Sequence, residues 1–139
     1  MNNINNVMQK EGIVRKKRIA FWVLMAYWVV LFLGTTLPSN RLPGMPTSDK
    51  LNHFAGYAVL AFLTFTYFRY KFAERFKEIT IFQGTFVLIA IYGILDELHQ
   101  IPIPGRYFEW YDVLADVTGA LIGLSVAFFI SRTFPRFYR

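Results

Sequence analysis

Residues 19–37 run for 19 positions without a charged side chain, and Trp22, Tyr27 and Trp28 fall inside the run. At 1.5 Å rise per residue, a helix of about 20 residues crosses the hydrocarbon core of a bilayer. No other feature restricts the fold as much. In lipid every backbone N–H and C=O must be satisfied within the protein, which leaves helices and closed barrels. The run directly follows a basic cluster, Arg15-Lys16-Lys17-Arg18. A cleaved signal peptide has an apolar region of about 7–15 residues and a small-residue cleavage site. This run is longer and no A-x-A-like site follows it, so it reads as a retained first helix.

Three more apolar segments follow, at about 50–68, 79–100 and 111–130. They explain why only 17% of the chain is charged, against about 25% in soluble domains. Residues 1–14 are polar and Asn-rich and are expected to be loose. Residues 38–48 hold three prolines and a glycine and predict a loop, with Thr47 or Ser48 as cap of the next helix. A charged connection spans 69–78, and a Pro-Gly loop spans 101–109. The chain has no cysteine, which excludes a disulfide framework, a thiolate metal site and a cysteine nucleophile. Its net charge of +6 does not point to nucleic acid, because the basic residues flank apolar runs and form no stripe with stacking aromatics.

The resulting expectation is an all-α membrane protein, a bundle of four transmembrane helices. A basic tail (1–18) precedes the membrane domain (19–131), and a second basic tail (132–139) follows it. Four spans put the N-terminal tail, the 69–78 connection and the C-terminal tail on one side. That side carries twelve Lys and Arg; the other carries Arg41, Lys50 and Arg106. The positive-inside rule then places both termini in the cytoplasm.

The stretch 94–123 contains five of the nine acidic residues: Asp96, Glu97, Glu109, Asp112 and Asp116. Such a cluster beside membrane spans is costly and needs a reason. With Asp49, His53 and Arg106 it gathers at the outer end, where six acidic and three basic residues leave a formal charge of −3. Asp49, His53 and Tyr57 share a helix face by their i, i+4, i+8 spacing, as do Asp96, His99 and Gln100. Asp112 and Asp116 lie above Gly119 and Gly123, and small residues at that spacing allow close helix approach, within one chain or between copies in a homo-oligomer. Asp116 is therefore expected to face protein and to need a partner, a proton or a metal. Lys50, Arg106, Arg41, His53 and His99 are the candidates. His99 and Glu109 are expected to point into water. Tyr107, Phe108, Trp110 and Tyr111 suit an interfacial belt.

Three uses of the cluster stay open. One is a shallow binding site, another an acid–base site on a lipid-linked phosphate with Arg106 as anion clamp, and the third is helix glue. No H-x-x-x-H or H-E-x-x-H spacing signals a metal, so no metal and no cofactor is expected. The absence of Ser and Cys from the cluster counts against an acyl-enzyme. The apolar inner halves of the helices count against a pore.

These blocks resemble the VanZ-like family of small bacterial membrane proteins, which takes its name from a teicoplanin-resistance protein. Asp49, Lys50, His53, Phe54 and Tyr57 match its D-K-x-x-H-F-x-x-Y. Tyr92, Gly93, Asp96, Glu97 and Gln100 match Y-G-x-x-D-E-x-x-Q, followed by Pro104-Gly105-Arg106 and Asp112. Asp112, Asp116, Gly119 and Gly123 match the motif that opens the last helix, except that the family often has Asn where this chain has Asp116. The resemblance covers about 22–131. It implies a multi-span protein of the bacterial plasma membrane, connected with the cell envelope and glycopeptide susceptibility. The partners it suggests are the lipid bilayer and a lipid-linked cell-wall ligand or a membrane protein. It supplies no enzymatic mechanism.

Overall fold

The computed structural model describes residues 2–38 and 49–138, without the side chains of residues 2–7 and 9. Four helices follow in order: α1 Asn2–Thr36, α2 Asp49–Phe72, α3 Glu78–Gln100 and α4 Trp110–Thr133. A 3-10 turn, Pro135–Tyr138, follows α4. No strand occurs among the described residues. The expected loop with Arg41, Pro43-Gly44, Pro46 and the Thr47 or Ser48 cap lies outside the described residues, apart from Pro38.

Among the described residues, three helical segments are long and apolar enough to cross a membrane: Lys10–Thr36, Glu78–Gln100 and Trp110–Thr133. α2 has the length but not the apolarity, because Asp49, Lys50, Asn52 and His53 occupy its first turns. It is the central helix instead. Tyr57, Leu60, Ala61 and Phe65 on α2 are fully or almost fully buried, and they pack with Leu24, Ile81, Ile89, Ala120, Leu124 and Ala127 from the other three helices.

The closest helix pair is α2 with α4, and glycine makes that approach available. A Cβ at Gly119 would fall on the carbonyl oxygen of Phe54, and one at Gly123 on that of Ala58. The Gly119/Gly123 row therefore packs within the chain. It is not left open for a second copy.

The N-terminal segment expected to be loose is helical from Asn2. It contains no proline, so once the apolar run is helical each preceding residue adds one hydrogen bond at small cost, whereas a new nucleus would be expensive. At the opposite end, α2 runs four residues past its apolar stretch, to Phe72, before the 73–77 turn. There Glu78 accepts from Arg69 Nε (3.2 Å) and pairs with Arg132 Nε (3.1 Å), and Ser131 also donates to it. This network ties α2, α3 and α4 together at the basic end.

Candidate functional site

The N-termini of α2 and α4 and the C-termini of α1 and α3 meet at the other end of the bundle. The two N-termini present unpaired N–H groups and positive dipole ends, which favour carboxylates in their first turns, and Asp49 and Asp112 sit there. The C-terminus of α1 presents carbonyls and a negative dipole end, which favours a cation. Arg106 fills that role. Its Nη2 donates to Gly34 O at 3.2 Å and its Nε to Leu37 O at 3.4 Å, with Asp49 at 4.0 Å from Nη1. The anion clamp expected at Arg106 is thus largely committed to the end of α1. The loop reaches that position through Gly105, whose φ of 78° is open to glycine at little cost.

Lys50 Nζ donates to Glu109 Oε2 at 2.8 Å and to Asp112 Oδ1 at 2.9 Å, joining the starts of α2 and α4. The bond from Lys50 holds the exposed Glu109 carboxyl below the usual carboxylate range. Glu109 is half exposed, as expected, but it is a partner of Lys50 and not a free surface acid. The Asp112 side chain is only 5% exposed.

Deeper in, four helices contribute to two linked groups. In the first, Asp96 Oδ1 accepts from Thr35 Oγ1 at 2.9 Å and Asp96 Oδ2 from Tyr57 OH at 3.2 Å. Thr35 does not stand out in the sequence; its only signal is a hydroxyl at the end of an apolar span. In the second, His53 Nδ1 lies 3.0 Å from Asp116 Oδ1 and 3.8 Å from Glu97 Oε1. Gln100 Nε2 donates to Glu97 Oε1 at 2.9 Å and the Glu109 backbone N–H to Glu97 Oε2 at 3.1 Å. Gln100 therefore bonds along its own helix, not across helices. His53, Asp96, Glu97, Gln100, Asp112 and Asp116 are all buried.

His99 does not point into water. Its ring stacks on Phe32 with centroids 5.0 Å apart, and its Nδ1 is buried without a hydrogen bond. Tyr107, Trp110 and Tyr111 are strongly exposed, as an aromatic belt requires.

A cavity of about 210 Å³ opens beside this cluster, between the ends of α1 and α2. α1 contributes Tyr27, Val30, Leu31, Gly34 and Thr35 to its lining, α2 contributes Asp49, Asn52 and His53, and Arg106 reaches in from the 101–109 loop. Tyr57 lines it too and carries its contacts to Asp96. Of the residues singled out in the sequence, Asp49, His53, Tyr57 and Arg106 border the cavity. Asp96, Glu97, Gln100, Asp112 and Asp116 stand behind it, and Gly119 and Gly123 set the helix spacing that lets Asp116 reach His53.

Apolar spans closing around a buried polar cluster at one end define a multi-pass helical membrane protein. The chain belongs to the VanZ/LLP1 family, whose sequence model matches residues 5–131. No curated protein and no solved structure matches it.

Proposed function

We propose that this is a four-span plasma-membrane protein with both termini cytoplasmic, and that its outer end binds an amphiphilic, lipid-linked envelope ligand. Through that ligand it lowers susceptibility to teicoplanin. The observation that carries the reading is the mixed lining of the cavity. Its apolar residues Val30 and Leu31 suit a lipid chain, and its polar residues Asn52 and His53 suit a hydrogen-bonding head. The excess of basic residues at the opposite end supports the orientation. α2 is counted as the fourth span because it has the length of one and its buried face, His53, Tyr57, Leu60, Ala61, Thr64 and Phe65, packs among the other helices.

The test is complementation of a deletion strain by Asn52→Leu, His53→Gln and Tyr27→Ala variants, with membrane level and melting temperature recorded beside teicoplanin susceptibility. Variants that stay folded and stop complementing support the site. Complementation that tracks only the surviving protein level assigns the cluster to helix glue.

A second reading is an enzyme on a lipid- or isoprenoid-linked phosphate. The His53–Asp116 pair at 3.0 Å, with His53 on the cavity border, favours it, as a carboxylate-oriented imidazole is a general acid–base arrangement. Purified protein that releases no phosphate from such lipids, with and without divalent metal, overturns it.

A further inference from the structure

The second buried group has more anionic oxygen than it has cations or donors to meet it. Asp112 has Lys50, Asp96 has two hydroxyls, and Glu97 has the Gln100 amide and the Glu109 backbone N–H, but Asp116 has only the imidazole, which it shares with Glu97. Glu97 is 1% exposed and Asp116 is wholly buried. The second oxygen of Asp116, Oδ2, has no hydrogen-bond partner. The residue opposite it on α3 is Gly93, where a Cβ would stand 3.3 Å from that oxygen. Leaving a buried carboxylate oxygen unsatisfied is expensive, so Asp116 needs either a proton or a positive centre.

The geometry points to a divalent transition-metal site formed by His53, Glu97 and Asp116, one ligand each from α2, α3 and α4. Their donor atoms all lie within 4.8 Å of one another. Ligands bonded at about 2.0–2.2 Å to a tetrahedral ion stand roughly 3.3–3.6 Å apart. The 3.0 and 3.8 Å separations from Nδ1 bracket that range. An imidazole nitrogen with two carboxylates suits Zn²⁺ or Mn²⁺ better than Mg²⁺. Gln100 and the Glu109 backbone N–H already orient the Glu97 carboxylate, as outer partners of metal ligands do. His53 lines the cavity while Glu97 and Asp116 stand behind it, so the histidine is the ligand set's link to the cavity. A second grouping, Asp49, His53 and Asp112, shares the histidine. It is the weaker set, because Asp49 is exposed and Asp112 is already paired with Lys50.

This inference rests on the same cluster as the proposed ligand site but not on any envelope role, so the two fail separately. Untagged full-length protein in detergent is stripped with a chelator and dialysed against Zn²⁺, Mn²⁺ or Mg²⁺. Elemental mass spectrometry is expected to find about one Zn²⁺ or Mn²⁺ per chain and little Mg²⁺. X-ray absorption of the loaded native chain should show one imidazole nitrogen among oxygen ligands. His53→Gln, Glu97→Gln and Asp116→Asn should each weaken uptake at least about tenfold. His99→Gln and Asp112→Asn should leave it unchanged, which separates this set from the chain's other histidine and from the overlapping grouping. No uptake by the native chain, a spectrum without imidazole, or loss with Asp112→Asn but not with Glu97→Gln overturns the site. The native-chain measurements decide the matter even if a variant does not fold.

Discussion

The α2–α4 contact makes a prediction sharp enough to fail. Gly119→Ala places a Cβ against the carbonyl of Phe54, and Gly123→Ala places one against the carbonyl of Ala58. Both obstacles are main-chain atoms and cannot rotate aside. Relief requires α4 to move away from α2 along its length. Inserting one carbon into a well-packed interface costs about 1–3 kcal/mol. A rigid backbone obstacle puts each substitution at the upper end, about 3 kcal/mol. Because one displacement relieves both clashes, the double variant should lose less than the sum. Gly84→Ala is the control, since nothing lies within 4 Å of its added Cβ. It should be neutral, or stabilising by up to about 1 kcal/mol through helix propensity. Unfolding by SDS in mixed micelles, followed by helical signal, measures all four proteins. The displacement also pulls Asp116 from His53, so any function of the site should fall with stability. If Gly119→Ala and Gly123→Ala are as benign as Gly84→Ala, the close α2–α4 approach is wrong.

Tyr57→Phe leaves Asp96 Oδ2 without its donor and should destabilise by about 1–3 kcal/mol; Thr35→Val should do the same through Oδ1, and equality of either with wild type in the SDS assay would refute the shared role. Arg106→Met removes the donors to Gly34 and Leu37 and should cost about 1–3 kcal/mol, seen as faster amide exchange at the end of α1. Because Lys50 lowers the Glu109 carboxyl below its unfolded value, that pairing contributes stability above the ordinary carboxylate range and loses it as pH falls through the lowered value. A Lys50→Met variant should lack this part of the acid dependence, while Glu109→Gln should change neutral-pH stability little, as suits an exposed pair.

The fold was largely legible because lipid leaves so few solutions. Uncharged length marks α1 and apolar composition marks α3 and α4, and the polar first turns of α2 mark where the helices gather. The pairing within the cluster was not legible. Helical spacing put Asp96, His99 and Gln100 on one face, yet Asp96 turns to α1 and α2, His99 stacks on Phe32, and Gln100 stays with Glu97. A 100° step per residue fixes direction to within a broad sector, and each sector here faces two neighbours. Thr35 escaped for a related reason: a hydroxyl in an apolar span more often bonds its own helix, as Thr35 also does with Phe32. The charge of Arg106 is visible in sequence and suggests an anion as one open use, whereas the carbonyls at the end of α1 that it meets are not visible there.

The same pairings bear on whether the cluster is glue. Polar groups that serve only to join helices should satisfy one another, because lipid offers no alternative partner and an unmatched charge loses more than a matched pair gains. Lys50 with Glu109 and Asp112 fits that account, as does Arg106 on the end of α1, and so does Glu78 with Arg69 and Arg132 at the opposite end. His53, Glu97 and Asp116 do not. They bring two carboxylates to one imidazole and leave Oδ2 of Asp116 unmet, and His53 borders a cavity that the glue account does not require. An asparagine at 116 would serve as glue better than the aspartate present, since its amide could donate where the carboxylate cannot. Asp116→Asn therefore discriminates: it should preserve or raise stability in the SDS assay, and under the glue account it should preserve complementation as well. Loss of complementation in a protein of undiminished stability would mean that the charge at 116 is kept for a ligand.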